Sequence, residues 1–219
     1  MRGDVHHTQP RVITITQPTE WGTLYRLDEL EALACFAREH DLRLHLDGAR
    51  LANAAAALDV TLAALTSELG FDSVSFGGTK NGLLFGEAVV VFDDAIAGEL
   101  AHHRKQAMQL ASKMRFLAAQ FEALLEGDLW RRNAEHANAQ ARRLGEGLAT
   151  IAGVELAQPV EANAVFVRLP QEVIPELQRR HGPFHLWDPK AGIARLMAAW
   201  DTEPALIDHL VDSVRELVG

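Results

Sequence analysis

Two stretches decide how this chain is to be read, LRLHLDGAR at Leu42–Arg50 and DSVSFGGTKNG at Asp72–Gly82. In the first, Leu42, Leu44 and Leu46 alternate with polar residues, the two-residue period of a strand, and Asp47 and Gly48 follow at its tip. In the second, Ser73–Phe76 is another short strand-like run. It gives way to Gly77, Gly78 and Thr79, a turn that permits close backbone approach and presents Lys80. Open α/β sheets bind ligands outside the carboxyl ends of their strands. A carboxylate and an amine delivered there are expected to face one pocket.

Outward from this pair, Arg11–Thr16 (RVITIT) reads as a strand, and Leu27–His40 as an amphipathic helix with apolar positions Leu27, Leu30, Leu33 and Phe36 or Ala37. Its acids lie early and Arg38 and His40 late, matching the helix dipole. With the Leu42 strand this makes a strand-helix-strand unit with parallel strands. Arg50–Leu58 and Thr61–Leu69 are helical by propensity, and Glu87–Phe92 (EAVVVF) has the continuous apolar run of a strand buried on both faces. From about Ala95 to Thr150 the chain is almost all helix former, broken near Gly127-Asp128 and Gly145, which predicts two or three helices. The period then changes. Val154–Leu156, Ala164–Leu169, Phe184–Trp187 and Ile193–Ala198 read as short strands of a mostly antiparallel sheet, with helices over Glu172–His181 and Glu203–Leu217. Asp201 or Thr202 is the expected cap of the last helix, with Pro204 in its first turn. The predicted division is a partial large domain over 1–95, a helical connection over 96–150 and a small α+β domain over 151–219.

The 219 residues, 48% hydrophobic, suffice for a sizeable core, and a net charge of -9 argues against nucleic acid or an anionic membrane as partner. A single cysteine, Cys35, excludes internal disulfides and thiolate metal clusters and suits a reducing cytoplasm. Cys35 reads as a small buried hydrophobe, and Asn163 and Arg168, flanking a strand, read as structural. No apolar run reaches membrane-spanning length, and the first residues lack a signal-peptide core.

A lysine on a glycine turn can form an imine with an aldehyde, and an aspartate can hold a heteroaromatic nitrogen protonated. Pyridoxal phosphate demands both. A capping Asp47 and a solvated Lys80 would satisfy the same residues without any cofactor. The segments HLDGARLANA (His45–Ala54), SFGGTKNG (Ser75–Gly82), SKMRFLAAQ (Ser112–Gln120), PVEANAVFVRLP (Pro159–Pro170) and GIARLMAAWDT (Gly192–Thr202) together resemble the low-specificity L-threonine aldolases. These share the aspartate-aminotransferase-like fold with aromatic β-eliminating lyases. The resemblance implies an α/β fold: the carboxyl-terminal part of a large domain with a mainly parallel sheet, followed by a small α+β domain. It implies pyridoxal 5'-phosphate as cofactor, with Lys80 as the imine-forming lysine and Asp47 as partner of the pyridinium nitrogen. Arg50 and Arg195 match arginines near the substrate carboxylate, and a guanidinium fork suits such a group because it grips it bidentately. Arg104 is similar to a basic residue that reaches the cofactor phosphate, or it is a solvated helix position. His6 matches a histidine near the substrate hydroxyl; His7, or neither, is the alternative.

The implied reaction is cleavage of L-threonine or L-allo-threonine, a small β-hydroxy-α-amino acid, to glycine and acetaldehyde by a cytoplasmic homodimer or homotetramer. β-Elimination on the same scaffold is the alternative chemistry. The resemblance begins at the family's middle, so the segment that supplies the phosphate loop and several strands of the large sheet has no counterpart here. That leaves a third reading, a cofactor-free remnant that works only by associating with another chain.

Overall fold

A computed structural model describes residues 3–219. Its first sheet has the order β1-β2-β3-β4, with β1 (Val12–Thr16), β2 (Arg43–Gly48) and β3 (Ser73–Gly77) parallel and β4 (Glu87–Val91) antiparallel at the edge. The alternation in LRLHLDG sets which face is dry. Leu44, Leu46 and Val74 point into a core with Leu30, Ala34 and Ala37 of α1 (Leu27–Glu39) and Leu51 and Ala55 of α2 (Leu51–Leu58). Burying each leucine side chain there contributes about 1.5–3 kcal/mol. The opposite face carries the residues in phase with His45: the register places Thr16 beside Asp47 and Asp47 beside Ser75. His45 bridges the Ser73 hydroxyl at 2.9 Å and the Ser75 hydroxyl at 3.3 Å on that polar face.

The second sheet is antiparallel, ordered β5-β6-β8-β7, with β5 (Glu155–Leu156), β6 (Ala164–Arg168), β7 (His185–Asp188) and β8 (Ile193–Met197). One face packs against α5 (Leu129–Ala149), α6 (Ile174–His181) and α7 (Pro204–Val218) through Leu144, Leu148, Val165, Val167, Leu177 and Val214. α5, at 21 residues, is long enough to serve both cores, since 1.5 Å per residue gives about 30 Å. Its Trp130 and Ala134 belong to the first core, and its Ala141, Leu144 and Leu148 to the second. Between these, Asn138 and Asn53 of α2 form a buried pair: Asn53 Nδ2 donates to Asn138 Oδ1 at 3.1 Å, and Asn138 Nδ2 donates to the Asn53 carbonyl at 2.9 Å. Before α5, α3 (Asp94–Gln106) and α4 (Arg115–Leu125) complete three helices over the stretch read as helix former.

Several local readings are corrected. Thr61–Leu69 is two short 3-10 turns, Ala63–Leu65 and Ser67–Leu69, because the Thr66 hydroxyl donates to the Leu62 carbonyl and Thr66 leaves helical geometry between them. β4 is not buried on both faces: it is an edge strand whose Val89 is 58% exposed. The dry stripe of α1 runs Leu30–Ala34–Ala37; Leu27 and Phe36 are exposed, and Phe36 stacks on His40 with ring centroids 4.0 Å apart. Cys35 is only half-buried and accepts a hydrogen bond from Arg38 Nη2 at 3.1 Å. Neither Asp201 nor Thr202 caps α7. Glu203 holds that position without a side-chain bond, because the Thr202 hydroxyl instead accepts from the Ala199 N–H at 2.7 Å. Among the described residues, no helix is long and apolar enough to cross a membrane.

Candidate active site

The carboxyl ends of β2 and β3 lie side by side, and glycine makes their approach possible. A Cβ on Gly77 would stand 2.2 Å from the Ala49 carbonyl oxygen, and one on Gly78 would stand 2.3 Å from Leu83 Cδ1 and 2.7 Å from the Gly86 carbonyl oxygen. Any side chain there would force apart the loop after Asp47 and the turn that carries Lys80. Asp47 is half-buried, and its Oδ1 accepts from the Ala49 N–H at 3.0 Å. Its Oδ2 has no partner among the described residues.

Lys80 sits in the 3-10 turn Thr79–Asn81, exposed and without a hydrogen-bond or ion-pair partner among the described residues. The turn around it is fixed. The Thr79 hydroxyl accepts from the Gly86 N–H at 2.8 Å, and the Glu87 carboxylate accepts from the Gly78 N–H at 3.2 Å. Asn81 donates to the Trp130 carbonyl at 2.9 Å, and Asn133 of α5 donates to the Asn81 carbonyl at 2.8 Å. The turn is therefore anchored to the helix that both cores share.

Next to these strand ends lies a narrow cleft lined by Thr16, Glu20, Arg50, Asn163, Arg195 and Met197, among others, and neither Asp47 nor Lys80 is among its lining residues. The segment after β1 forms one wall. Gln17, fully buried, donates its backbone N–H to the Asp47 carbonyl at 3.0 Å and bonds both backbone groups of Tyr25 through its amide. Glu161 accepts from the Leu24 N–H at 2.7 Å and pairs with Arg26, tying this loop to the second sheet. Gly22, at φ +74°, lies where a Cβ would meet Ala164 Cβ at 2.8 Å.

Arg50 and Arg195 thus come from separate sheets to one cleft. Burial lowers the pKa of Arg50, and the Arg195 charge lowers it further, while Glu20 and Asp47 act in the opposite direction. Arg195 makes no ion pair among the described residues, and its Nε is buried without a hydrogen-bond partner. Asn163, read from the sequence as structural, does hold the Ala198 carbonyl through Nδ2 at 2.8 Å, but its Oδ1 is also buried and unpaired. Arg195 Nε, an unpaired buried donor beside two like charges, is a group that an anion with an accepting edge would satisfy, whereas Asn163 Oδ1 is an acceptor that calls for a donor.

The other sequence candidates lie elsewhere. Arg104 is exposed on α3, a helix with no buried residue, and its Nε donates to the Gln109 carbonyl at 3.2 Å. His6 is in the exposed leading loop, its N–H bonded to Asp4 Oδ1 at 2.9 Å, and His7 Nδ1 lies 2.9 Å from Asp4 Oδ2. Neither lines the cleft. Glu20 was not singled out from sequence, and nothing in its local pattern marks it.

A mainly parallel sheet joined to a small antiparallel one is a fold found among solved proteins. Residues 1–172 match the Beta-eliminating lyase family, and the chain belongs to that family. Within it, the chain is 45% identical over 218 residues to the low specificity L-threonine aldolase of Pseudomonas aeruginosa and 46% identical to that of a Pseudomonas sp. strain. Each alignment covers 100% of this chain and 63% of the relative, so the chain spans under two thirds of those proteins' length. A solved threonine aldolase structure from Leishmania major superposes with a TM-score of 0.91 at 35% identity, over 99% of this chain and 64% of that one.

Proposed function

We propose that the chain carries the catalytic residues of a pyridoxal-phosphate-dependent carbon-carbon lyase that cleaves L-threonine or L-allo-threonine to glycine and acetaldehyde. The observation that carries this reading is the pair of arginines, Arg50 and Arg195, lining one cleft with a buried, unpaired Nε and, among the described residues, no carboxylate bonded to either. That is what an amino-acid carboxylate requires. The 45% identity to a low specificity L-threonine aldolase supports the same substrate class.

The donor set fits the cofactor. Among the described residues, the second carboxylate oxygen of Asp47 and the amine of Lys80 have no partner, and the two residues sit on adjoining strand ends. Asp47 would hold the proton on the pyridine nitrogen and Lys80 would hold the aldehyde carbon; Arg104, proposed from the resemblance for the phosphate, lies apart from the cleft within one chain. When bound, pyridoxal phosphate supplies a ring that accepts the electrons of a bond breaking at the substrate Cα. The arginines would choose that bond by fixing the carboxylate; His6, proposed from the resemblance to take the β-hydroxyl proton, lies outside the cleft within one chain. A homo-oligomer in the cytoplasm is the proposed working form.

Family membership also supports β-elimination as a second reading. The exposed Val89 and Phe92 at the sheet edge support association with another chain. One experiment separates these. The full chain is incubated with pyridoxal phosphate, reduced with borohydride and mapped by peptide mass, and a parallel sample is given L-threonine. The proposal expects the reduced adduct on Lys80 and release of glycine with acetaldehyde. Release of ammonia with 2-oxobutanoate would make the chain a β-eliminating lyase. An unlabelled Lys80 with neither product set would leave association as its role.

A further inference from the structure

We infer that Trp187 is a positioning residue for Arg195, holding its guanidinium by ring face instead of by a counter-ion. The inference rests on the carboxylate-binding reading of the cleft. Arg195 sits in β8 opposite Phe166 of β6 on one side and His185 of β7 on the other. Its guanidinium carbon lies 5.9 Å from the Phe166 ring centroid and 5.8 Å from the Trp187 centroid. Both distances are within the range at which a cation is attracted to an aromatic quadrupole. The two rings meet edge to face, 5.3 Å apart at 86°, and Trp21 packs on both, at 5.1 Å from Phe166 and 5.2 Å from Trp187.

The strand geometry explains how Trp187 gets there. Leu186 pairs with Ala194, but the next pair is Asp188 with Ile193, so Trp187 is the extra residue of a β-bulge. Bulges re-aim a side chain and are over-represented beside binding sites. Here the bulge sets the indole against the arginine from the edge strand, while Phe166 approaches from the central one.

The consequence is chemical. A carboxylate partner would fix Arg195 equally well but would compete with the substrate for its N–H groups. Aromatic faces restrict the guanidinium plane and leave its donors free. Arg195 accordingly has no ion pair among the described residues. The alternative, that Trp187 only fills space, is open to test because Trp187 also borders an open hollow with Trp21, Asp188, Pro189 and Lys190. A smaller side chain there need not leave a closed void.

The test compares W187L and W187F with the wild-type full chain, using maleate as the carboxylate probe on cofactor-free protein. Calorimetric titration reads the dissociation constant, and thermal melting confirms that each variant folds. The inference expects W187L to bind maleate roughly tenfold more weakly, and W187F, which keeps a ring face, to stay within about threefold of wild type. With pyridoxal phosphate loaded, W187L should raise KM for L-threonine by a similar factor with little change in kcat. Equal maleate affinity in wild type and W187L would overturn the positioning role, as would equal weakening in W187L and W187F. If W187L does not fold, an F166L variant replaces it against the same two limits. Failure of wild type itself to bind maleate would instead sink the carboxylate reading of the cleft.

Discussion

Replacing Gly77 by alanine probes the contact that brings the acid and the lysine turn together. The new Cβ would lie 2.2 Å from the Ala49 carbonyl oxygen, 2.6 Å from its carbonyl carbon and 2.7 Å from its Cα. All three are backbone atoms, so no rotamer change relieves the clash. Real Cβ contacts essentially never fall below 3.0 Å, and the strand tip or the Gly48–Arg50 loop must therefore move by at least about 0.8 Å. Overpacking of this kind costs about 1–3 kcal/mol. In a chain of this size each kcal/mol lowers the melting temperature by about 2–4 °C, so a fall of about 2–12 °C is expected. The same shift moves Asp47 and Arg50 relative to Lys80, so borohydride-fixed cofactor on Lys80 should fall with it. Gly98→Ala is the control: it lies within α3, nothing stands within 4 Å of its Cβ position, and alanine there should stabilise by about 0.5–1 kcal/mol. Calorimetric melting of both variants decides the matter. If Gly77→Ala melts within about 1 °C of wild type and captures cofactor equally well, the two strand ends do not touch as described and the juxtaposition of acid and lysine turn loses its basis.

Lys80→Ala should leave stability within about 0.5 kcal/mol, since the side chain is exposed and has no partner among the described residues, yet abolish cofactor fixation; a large drop in melting temperature would show that the lysine has a structural role. Arg50→Met should hold or raise the melting temperature while weakening maleate binding at least about tenfold, because it removes a charge disfavoured by burial and by Arg195. Loss of stability together with unchanged binding would contradict that account. Arg179 and Arg180 lower the Glu176 pKa to about 2 through hydrogen bonds and charge. The depressed carboxyl contributes stability that is fully present above about pH 4.5, its ordinary value, and is lost as pH falls through about 2. A carboxyl-carbon NMR titration with a midpoint near 4.5 would refute the pairing. The energetic effect is small, because the group is solvent-screened.

The elements were legible where burial follows a simple period. LRLHLDG became β2 with Leu44 and Leu46 in the core, and the second sheet's four strands lie within a residue or two of the runs that predicted them. Period fails where a neighbour is missing or a side chain takes over a backbone bond. EAVVVF has the composition of a doubly covered strand but lies at an edge, and Thr66 interrupts a helical stretch by bonding its own preceding turn. Asp47, Lys80, Arg50 and Arg195 could be named from motifs because each follows a strand end or matches a known arginine. Glu20, the unpaired Oδ1 of Asn163 and the bulge at Trp187 could not. Each depends on register or on a contact between residues more than a hundred positions apart in one case, and no local pattern encodes that.

These long-range ties also explain where the cleft can form at all. Its walls come from the first sheet through Thr16 and Arg50 and from the second through Asn163 and Arg195, so its shape depends on how the two cores are held together. Two devices hold them. α5 threads both cores and clamps the lysine turn through Asn133, and the loop after β1 is tied across by Gln17 on one side and Glu161 on the other. Among the described residues neither arginine has a bonded counter-ion, and their repulsion is offset in part by Glu20 and Asp47 while these ties hold the two cores together. An anion entering the cleft would remove that repulsion and satisfy Arg195 Nε in one step. Ligand binding should therefore stabilise the junction between the two cores.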